Sequence, residues 1–75
     1  MKKCSISLSS VSNVKKFVEL VSRCDYDIDL VSGRFTVDAK SIMGIFSLDL
    51  SKPIDLIAHT DNADFLFEKL KEFCA

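Results

Sequence analysis

The chain opens with residues that alternate between polar and apolar. Cys4, Ile6 and Leu8 occupy the apolar positions, and serines separate them. A repeat of two residues is typical of a β-strand with one buried face. The pattern predicts a strand over residues 3–9, with its serines on the open face of a sheet.

The period then changes to that of a helix. Apolar residues recur at spacings of three and four, at Val11, Val14, Phe17, Val18 and Val21. These positions form one stripe on a helix, and charged residues lie outside the stripe. The stripe predicts an amphipathic helix, with Ser10 or Ser12 as its N-cap.

Two strands and a tight turn are predicted next. Ile28 and Leu30 alternate with polar residues and are expected to point inward. The run 32–34 contains Gly33 and predicts the turn of a hairpin. In the strand that follows, Phe35 and Val37 fall on one face.

The segment Lys40–Leu48 begins with a hydroxyl residue and continues with apolar ones. We expect a short helix with Ser41 as its N-cap, its side-chain oxygen accepting the N–H of Met43 or Gly44. Glycine in a helix costs about 1 kcal/mol relative to alanine. Gly44 therefore indicates either close backbone packing or local mobility.

A fourth strand and a last helix complete the pattern. Ile54, Leu56 and Ala58 alternate with other residues, as in a strand. Asp61 or Asn62 is then predicted to cap a helix. Its apolar side is expected to carry Ala63, Leu66, Phe67, Leu70, Phe73 and Cys74.

The order of elements is strand, helix, strand, strand, short helix, strand, helix. This order predicts one α+β domain over residues 1–75, with helices on one face of a four-stranded antiparallel sheet. The first helix would be a right-handed crossover between parallel strands, leaving a slot that the fourth strand fills. The expected sheet order is 1-4-2-3, an open-faced β-sandwich.

Composition excludes several classes of protein. The formal net charge of −1 gives no basic surface for nucleic acid. No apolar run approaches the roughly 20 residues of a membrane span, and the alternation after Lys3 is unlike a signal peptide. We expect a soluble, cytoplasmic protein that binds neither nucleic acid nor membrane.

The chain shows no pattern typical of a metal or cofactor site. Its three cysteines are widely spaced, which predicts free thiols rather than disulfides or a zinc site. Asp25, Asp27 and Asp29 recur at every second position, but the glycine and distal glutamate of a calcium loop are absent. We expect these aspartates to be solvated strand residues, and we expect no metal and no cofactor.

The segment Lys40-Ser41-Ile42-Met43-Gly44-Ile45, with Ser47-Leu48, resembles the regulatory serine segment of HPr, the small phosphocarrier of the bacterial sugar phosphotransferase system. The match extends without gaps from about Ser22 to about Asp55. The resemblance implies an HPr-like open-faced β-sandwich. It also implies that Ser41 is the serine phosphorylated by HPr kinase, whose product binds a catabolite-control transcription factor.

In HPr-like proteins, partners dock on the short helix and the exposed side of the first helix. The resemblance therefore implies a partner-binding surface that contains Val11, Lys15, Ile42, Met43 and Phe46. An apolar patch beside a switchable charge is a plausible interaction site. The alternative is that Ser41 is only a helix cap and that Met43 and Phe46 belong to the core.

The chain departs from HPr where phosphate is carried. HPr has a Gly-(Ile/Leu)-His-Ala-Arg-Pro run there, whereas this chain has Leu8-Ser9-Ser10-Val11-Ser12-Asn13. Ser10 falls at the histidine position and Ser12 at the arginine position. The chain is therefore similar to a degenerate member of the family, like the catabolite-repression HPr homologue, which lacks the histidine and keeps the serine.

Neither Ser10 nor His59 suits the role of carrier. A phosphoserine is a stable ester, and no acid, base or arginine near Ser10 would help to transfer its phosphate. His59 follows the fourth strand and is expected about 17 Å from the phosphate site. We predict that Ser10 is a helix cap and that His59 is a surface or capping group.

Three hypotheses follow. The first is a non-enzymatic regulatory protein of the HPr family, a monomer or weak dimer, with Ser41 as its phosphorylation site. The second is an accessory phosphocarrier that uses an unusual residue. The third is a small α+β module for ligand binding or assembly, unrelated to sugar transport.

Overall fold

The computed structural model describes residues 1–74, and the predicted order of elements is confirmed. The strands are β1 (Lys2–Ile6), β2 (Ile28–Ser32), β3 (Phe35–Asp38) and β4 (Ile54–Ala58). The helices are α1 (Val11–Val21), α2 (Ile42–Phe46) and α3 (Asp64–Lys69), and a 3₁₀ turn at Leu70–Phe73 follows α3.

The four strands form one antiparallel sheet in the order β1-β4-β2-β3. β4 lies between β1 and β2, with Leu56 paired to Cys4 on one side and to Leu30 on the other. Gly33 has φ of +60° in the β2–β3 turn, a conformation that glycine adopts at little cost. The predicted α+β fold and sheet order are therefore confirmed.

Strand β1 ends earlier than the sequence predicts. Its pairing with β4 stops at Ile6, opposite Ile54, and Pro53 has no N–H with which to extend the ladder. The N–H of Ser7 instead donates to the carbonyl of Phe73 at 2.7 Å. Leu8 is fully buried although it lies outside the strand, so the predicted inward face is correct.

The core lies between the sheet and the helices. Ile6, Leu30 and Leu56 are fully buried from the sheet side, and Phe17 is fully buried from α1. The rings of Phe17 and Phe73 meet edge to face, with centroids 6.0 Å apart, a geometry that aromatic pairs prefer. Burial of each such side chain stabilises the fold by roughly 1.5 to 3 kcal/mol.

The other face of the sheet is open and carries charge. Lys3 and Ser5 are exposed there, as the alternation in β1 predicts. Lys3 Nζ lies 3.9 Å from Asp55 Oδ2 on neighbouring β4. Because both side chains are at least half exposed, this ion pair contributes little to stability.

Two apolar residues are more exposed than their position in the pattern suggests. Val11 lies in the α1 stripe but is 57% exposed, at the first position of the helix. Phe35 is 69% exposed at the start of edge strand β3, whereas Val37 on the same strand packs against the core. Periodicity identifies a face, but it does not show how far the opposing layer covers that face.

The last helix also differs from the prediction. Its N-cap is Ala63, and Asn62 instead accepts the N–H of Asp64 through Oδ1 at 3.1 Å. The α-helix ends at Lys69 and tightens into the 3₁₀ turn. Cys74, predicted on the apolar side, is exposed, because it lies past the end of this turn in extended conformation.

Candidate functional site

Ser10 is the N-cap of α1. Its backbone is extended, and its Oγ accepts the N–H of Asn13 at 3.1 Å. Ser12 lies within the first turn and is exposed, so Ser10 rather than Ser12 is the cap. The other free N–H groups and the dipole of this 11-residue helix favour negative charge near Ser10.

Ser41 is the N-cap of α2, as predicted. Its Oγ accepts the N–H of Gly44 at 3.3 Å, and the residue is exposed. The chain leading to it is fixed by backbone bonds from Ser41 to the carbonyl of Asp38 at 3.0 Å and from Ala39 to the carbonyl of Ile28 at 2.8 Å. The Ser41 hydroxyl is therefore presented to solvent on an ordered turn.

Lys40 connects this turn to the end of the α1 segment. Its Nζ donates to the carbonyl of Cys24 at 2.9 Å, and its backbone N–H donates to Asp38 Oδ1 at 2.9 Å. Hydrogen bonds from a charged donor are stronger than those between neutral groups. Lys40 thus fixes the position of α2 relative to the turn after α1.

Exposed apolar residues lie on two helices that pack together, α1 and α2. Met43 is 77% exposed, Phe46 is 42% exposed and Val11 is 57% exposed. Lys15 is exposed and Ile42 is half-buried. The predicted alternative that Met43 and Phe46 are core residues is wrong, because α2 directs Ile45 into the core instead.

Gly44 lies at a close approach between α2 and β3. A Cβ at this position would lie 3.3 Å from Val37 Cβ and 3.4 Å from Ser41 Oγ. Both contacts are at the short limit for a side chain. The packing explanation for Gly44 is therefore confirmed.

His59 lies at the opposite end of the sheet from Ser10. It follows the end of β4 that pairs with Lys2, whereas the chain reaches Ser10 from Ile6, at the other end of β1. A five-residue strand spans roughly 17 Å. His59 and Ser10 therefore do not belong to one site.

His59 instead belongs to an acidic cluster. Its Nε2 lies 2.7 Å from Asp29 Oδ2, and its backbone N–H donates to the carbonyl of Asp27 at 2.9 Å. Asp38 completes the lining of an open cavity of about 380 Å³. Within residues 1–74, no group of three or more histidine, cysteine, aspartate or glutamate side chains is arranged to hold a metal ion.

In the sequence, Asp27 and Asp29 belong to one alternating pattern, whereas Asp38 and His59 lie outside it. Asp29 pairs directly with Asp38 across the β2–β3 hairpin, and like charges in that arrangement repel. The Gly33 turn fixes this register, so the pairing was available from the sequence. The proximity of His59 to Asp29 could not be predicted from the sequence, because it depends on the register of β4.

Comparison with known proteins agrees with this fold. The family model described as "PTS HPr component phosphorylation site" matches residues 11–75. Among solved structures, HPr-C-His from Thermoanaerobacter tengcongensis is 26% identical with a TM-score of 0.78, covering 96% of this chain and 93% of that one. The phosphocarrier protein HPr from Bacillus anthracis is 28% identical with a TM-score of 0.73, covering 99% of this chain and 94% of that one. No curated protein matches the chain.

The chain therefore belongs to the HPr family of the phosphotransferase system. Proteins of this family are phosphocarriers, not catalytic enzymes, and they interact with other proteins of the system. The family match begins at Val11, one residue after Ser10. Across the described residues, no helix is both long enough and apolar enough to cross a bilayer.

Proposed function

We propose that this protein is a regulatory member of the HPr family that does not carry phosphate on histidine. The observation that supports the proposal is the hydroxyl of Ser10 at the α1 N-cap, where the family resemblance calls for histidine. Ser12 occupies the arginine position in the same turn. The histidine and the arginine are thus replaced together.

The chemistry of Ser10 favours a structural role. A phosphohistidine has a reactive P–N bond, whereas a phosphoserine ester needs strong acid catalysis to release its phosphate. The Ser10 Oγ already accepts the N–H of Asn13. A cap of this kind stabilises a helix by about 1 kcal/mol.

His59 is not a replacement carrier in this proposal. Its Nε2 is hydrogen-bonded to Asp29, and three aspartates line its cavity. An incoming phosphoryl group is negatively charged, so these carboxylates would repel it. His59 is the only histidine in the sequence, so this repulsion argues against the accessory-phosphocarrier hypothesis.

Ser41 is the proposed control point. Its hydroxyl is exposed on an ordered turn, beside the exposed side chains of Met43 and Phe46. A phosphate would add a charge of about −1.5 to −2. This charge would change how the surface formed by Val11, Lys15, Ile42, Met43 and Phe46 binds a protein.

The proposal extends to partners and location. HPr kinase would modify Ser41, and a catabolite-control transcription factor or another regulator would bind the product. The whole chain would act as one cytoplasmic domain, without enzymatic activity of its own. Its binding energy would come from the apolar side chains, with the phosphate supplying specificity.

Two incubations of the purified protein test this function, each followed by intact-mass analysis. One contains enzyme I with phosphoenolpyruvate, and the other contains HPr kinase with ATP. We expect an acid-stable phosphate only in the kinase reaction. An acid-labile phosphate from enzyme I would contradict the proposed loss of histidine transfer.

Two serine variants locate the phosphate. Ser41→Ala should abolish kinase labelling, whereas Ser47→Ala should keep it, although Ser47 is also exposed, at the C-cap of the same helix. Circular dichroism would check that each variant is folded. Labelling that survives in Ser41→Ala, or no labelling of the wild type, would contradict control through Ser41.

A further inference from the structure

The outer edge of β1 is partly covered by the segment that follows α3. Ser7 donates its N–H to the carbonyl of Phe73 at 2.7 Å, and Ile6 pairs with Cys74 in an isolated antiparallel bridge. In a pair flanked by its hydrogen bonds in this way, the Cα atoms are about 4.5 Å apart. The segment thus brings Cys74 beside β1.

Cys4 and Cys74 lie on the same face of this bridge. Residues directly opposite each other share a face, and so do residues two apart along one strand. Cys74 is opposite Ile6, and Cys4 is two residues before Ile6. Diagonal neighbours of this kind have Cα atoms about 7 to 8 Å apart, with their Cβ atoms somewhat closer.

A small movement would bring this pair to disulfide geometry, which requires Cα atoms about 4.4 to 6.8 Å apart. Cys74 can make this movement because the hydrogen bond from its own N–H is long. Its N–H donates to the carbonyl of Lys71 at 3.5 Å, and its Sγ contacts the carbonyl of Leu70 at 3.5 Å. Cys74 is exposed, whereas Cys4 is half-buried against the core.

We propose that Cys4 and Cys74 form a reversible disulfide that fastens the segment after α3 to the edge of β1, with a low-molecular-weight disulfide as oxidant. Cys24 takes no part, because it is buried at the far end of α1. Two thiols arranged in this way form a redox-sensitive modification site. This inference is independent of phosphorylation at Ser41.

The exposure of the two thiols sets the order of the reaction. The Cys74 thiolate attacks one sulfur of the oxidant, breaks its S–S bond and releases the first thiolate, giving a mixed disulfide. The Cys4 thiolate then attacks the Cys74 sulfur and releases the second. The two cysteines lose two protons and two electrons, and the oxidant is reduced to two thiols.

The thiol environment agrees with this order. Burial raises the pKa of the Cys4 thiol, and negative charge on Cys74 and Asp55 raises it further. The influence of Cys74 on Cys4 reflects their proximity. A thiol with a raised pKa reacts more slowly, so the exposed Cys74 is the entry point and Cys4 is the resolving cysteine.

The disulfide would close most of the chain into one loop. Crosslinks across long loops remove much conformational freedom from the unfolded chain. We therefore expect oxidation to raise the Tm by more than about 10 °C. Addition of dithiothreitol should reverse the rise.

The test is incubation of the full chain with glutathione disulfide, followed by intact-mass analysis and a non-reducing peptide map. The wild type should lose about 2 Da and yield one peptide that joins Cys4 to Cys74. Cys24→Ser, the matched control, should behave in the same way. In Cys74→Ser, Cys4 should remain a free thiol and the mass should not change. In Cys4→Ser, Cys74 should retain a glutathionyl group.

Three outcomes would overturn the proposal. They are a lasting glutathionyl adduct on wild-type Cys74, a crosslink that contains Cys24, and a covalent dimer in place of the internal bridge. Cys4→Ala provides a second resolving-cysteine variant if Cys4→Ser does not fold. Circular dichroism of the reduced proteins would identify a folding defect.

Discussion

The imidazole Nε2 of His59 lies 2.7 Å from Asp29 Oδ2, and this contact ties the end of β4 to β2. Both side chains are more than a third exposed, so water weakens the attraction. We expect His59→Ala to lower the free energy of unfolding by less than about 1 kcal/mol, measured by urea denaturation. A loss of several kcal/mol would indicate that the cluster stabilises the fold.

The surroundings of Asp29 make a second measurement informative. Asp29 faces Asp38 directly across β2 and β3, where like charges repel. Asp29→Asn should therefore stabilise the His59→Ala variant. In the wild type the gain in stability should be smaller, because the substitution also removes the contact between the Asp29 carboxylate and His59. Equal effects in both backgrounds would contradict coupling between His59 and Asp29.

Introducing a histidine and an arginine at the N-terminus of α1 should restore the ability to carry phosphate. The variant with Ser10→His and Ser12→Arg is expected to gain an acid-labile phosphate from enzyme I and phosphoenolpyruvate. The helix N–H groups and the introduced arginine would stabilise the phosphoryl group. Intact-mass analysis before and after acid treatment measures the gain.

A matched variant distinguishes position from composition. Ser9→His also places a histidine next to α1, but Ser9 precedes the cap. It should remain unphosphorylated under the same conditions. If it is labelled as well as the double variant, recognition does not depend on the position of Ser10.

The close approach of Gly44 to Val37 predicts compensation between helix propensity and crowding. Gly44→Ala should gain about 1 kcal/mol from propensity and lose a similar amount through the 3.3 Å contact with Val37 Cβ. We expect a net change in unfolding free energy below about 1 kcal/mol. In a Val37→Gly background, the same substitution should be stabilising, since the Cβ that it would contact is absent.

Denaturation of the four proteins in this cycle provides the test. Because Val37 is half-buried and glycine weakens a strand, Val37→Gly alone is also destabilising and supplies the reference. An effect of Gly44→Ala that is identical in both backgrounds would show that Val37 does not limit the space.

The titration of Tyr26 is expected to lower the free energy of unfolding at alkaline pH. Burial, together with nearby Cys24 and Asp25, raises the pKa of Tyr26 to about 12, whereas an unperturbed tyrosine has a pKa of about 10. The folded state thus favours the neutral phenol. Its contribution is fully present below about pH 10 and is lost as the pH rises towards about 12.

Tyr26 is the only tyrosine, so tyrosinate absorbance reports this titration directly. Tyr26→Phe removes the titrating group and should lose less stability than the wild type between about pH 10 and about pH 12. The Cys4 thiol titrates in both proteins and does not affect the difference. Parallel pH profiles for the two proteins would contradict the prediction.

The sequence predicted the sheet well because alternation in β1, β2 and β4 identifies the buried face of each strand. It also located the caps of α1 and α2, with Ser10 as one of two candidates for α1, since Ser10 and Ser41 immediately precede apolar helical patterns. These are local features. They depend on a few neighbouring residues, which the sequence presents directly.

Features that depend on distant parts of the chain were harder to predict. The exposure of Phe35 depends on where the helical layer ends, and the cluster at His59 depends on the register of β4. The proximity of Cys74 to Cys4 requires the path of the chain after α3. Periodicity contains none of this information.

The central position of β4 also constrains how the chain folds. β2 and β3 can pair as soon as both leave the ribosome, but β1 has no strand partner until β4 is made. Contacts between sequence-distant strands form slowly. Until β4 pairs, the folding chain therefore carries open edges on β1 and β2, and such edges invite pairing with other chains. The step that completes the sheet also ends this period of vulnerability.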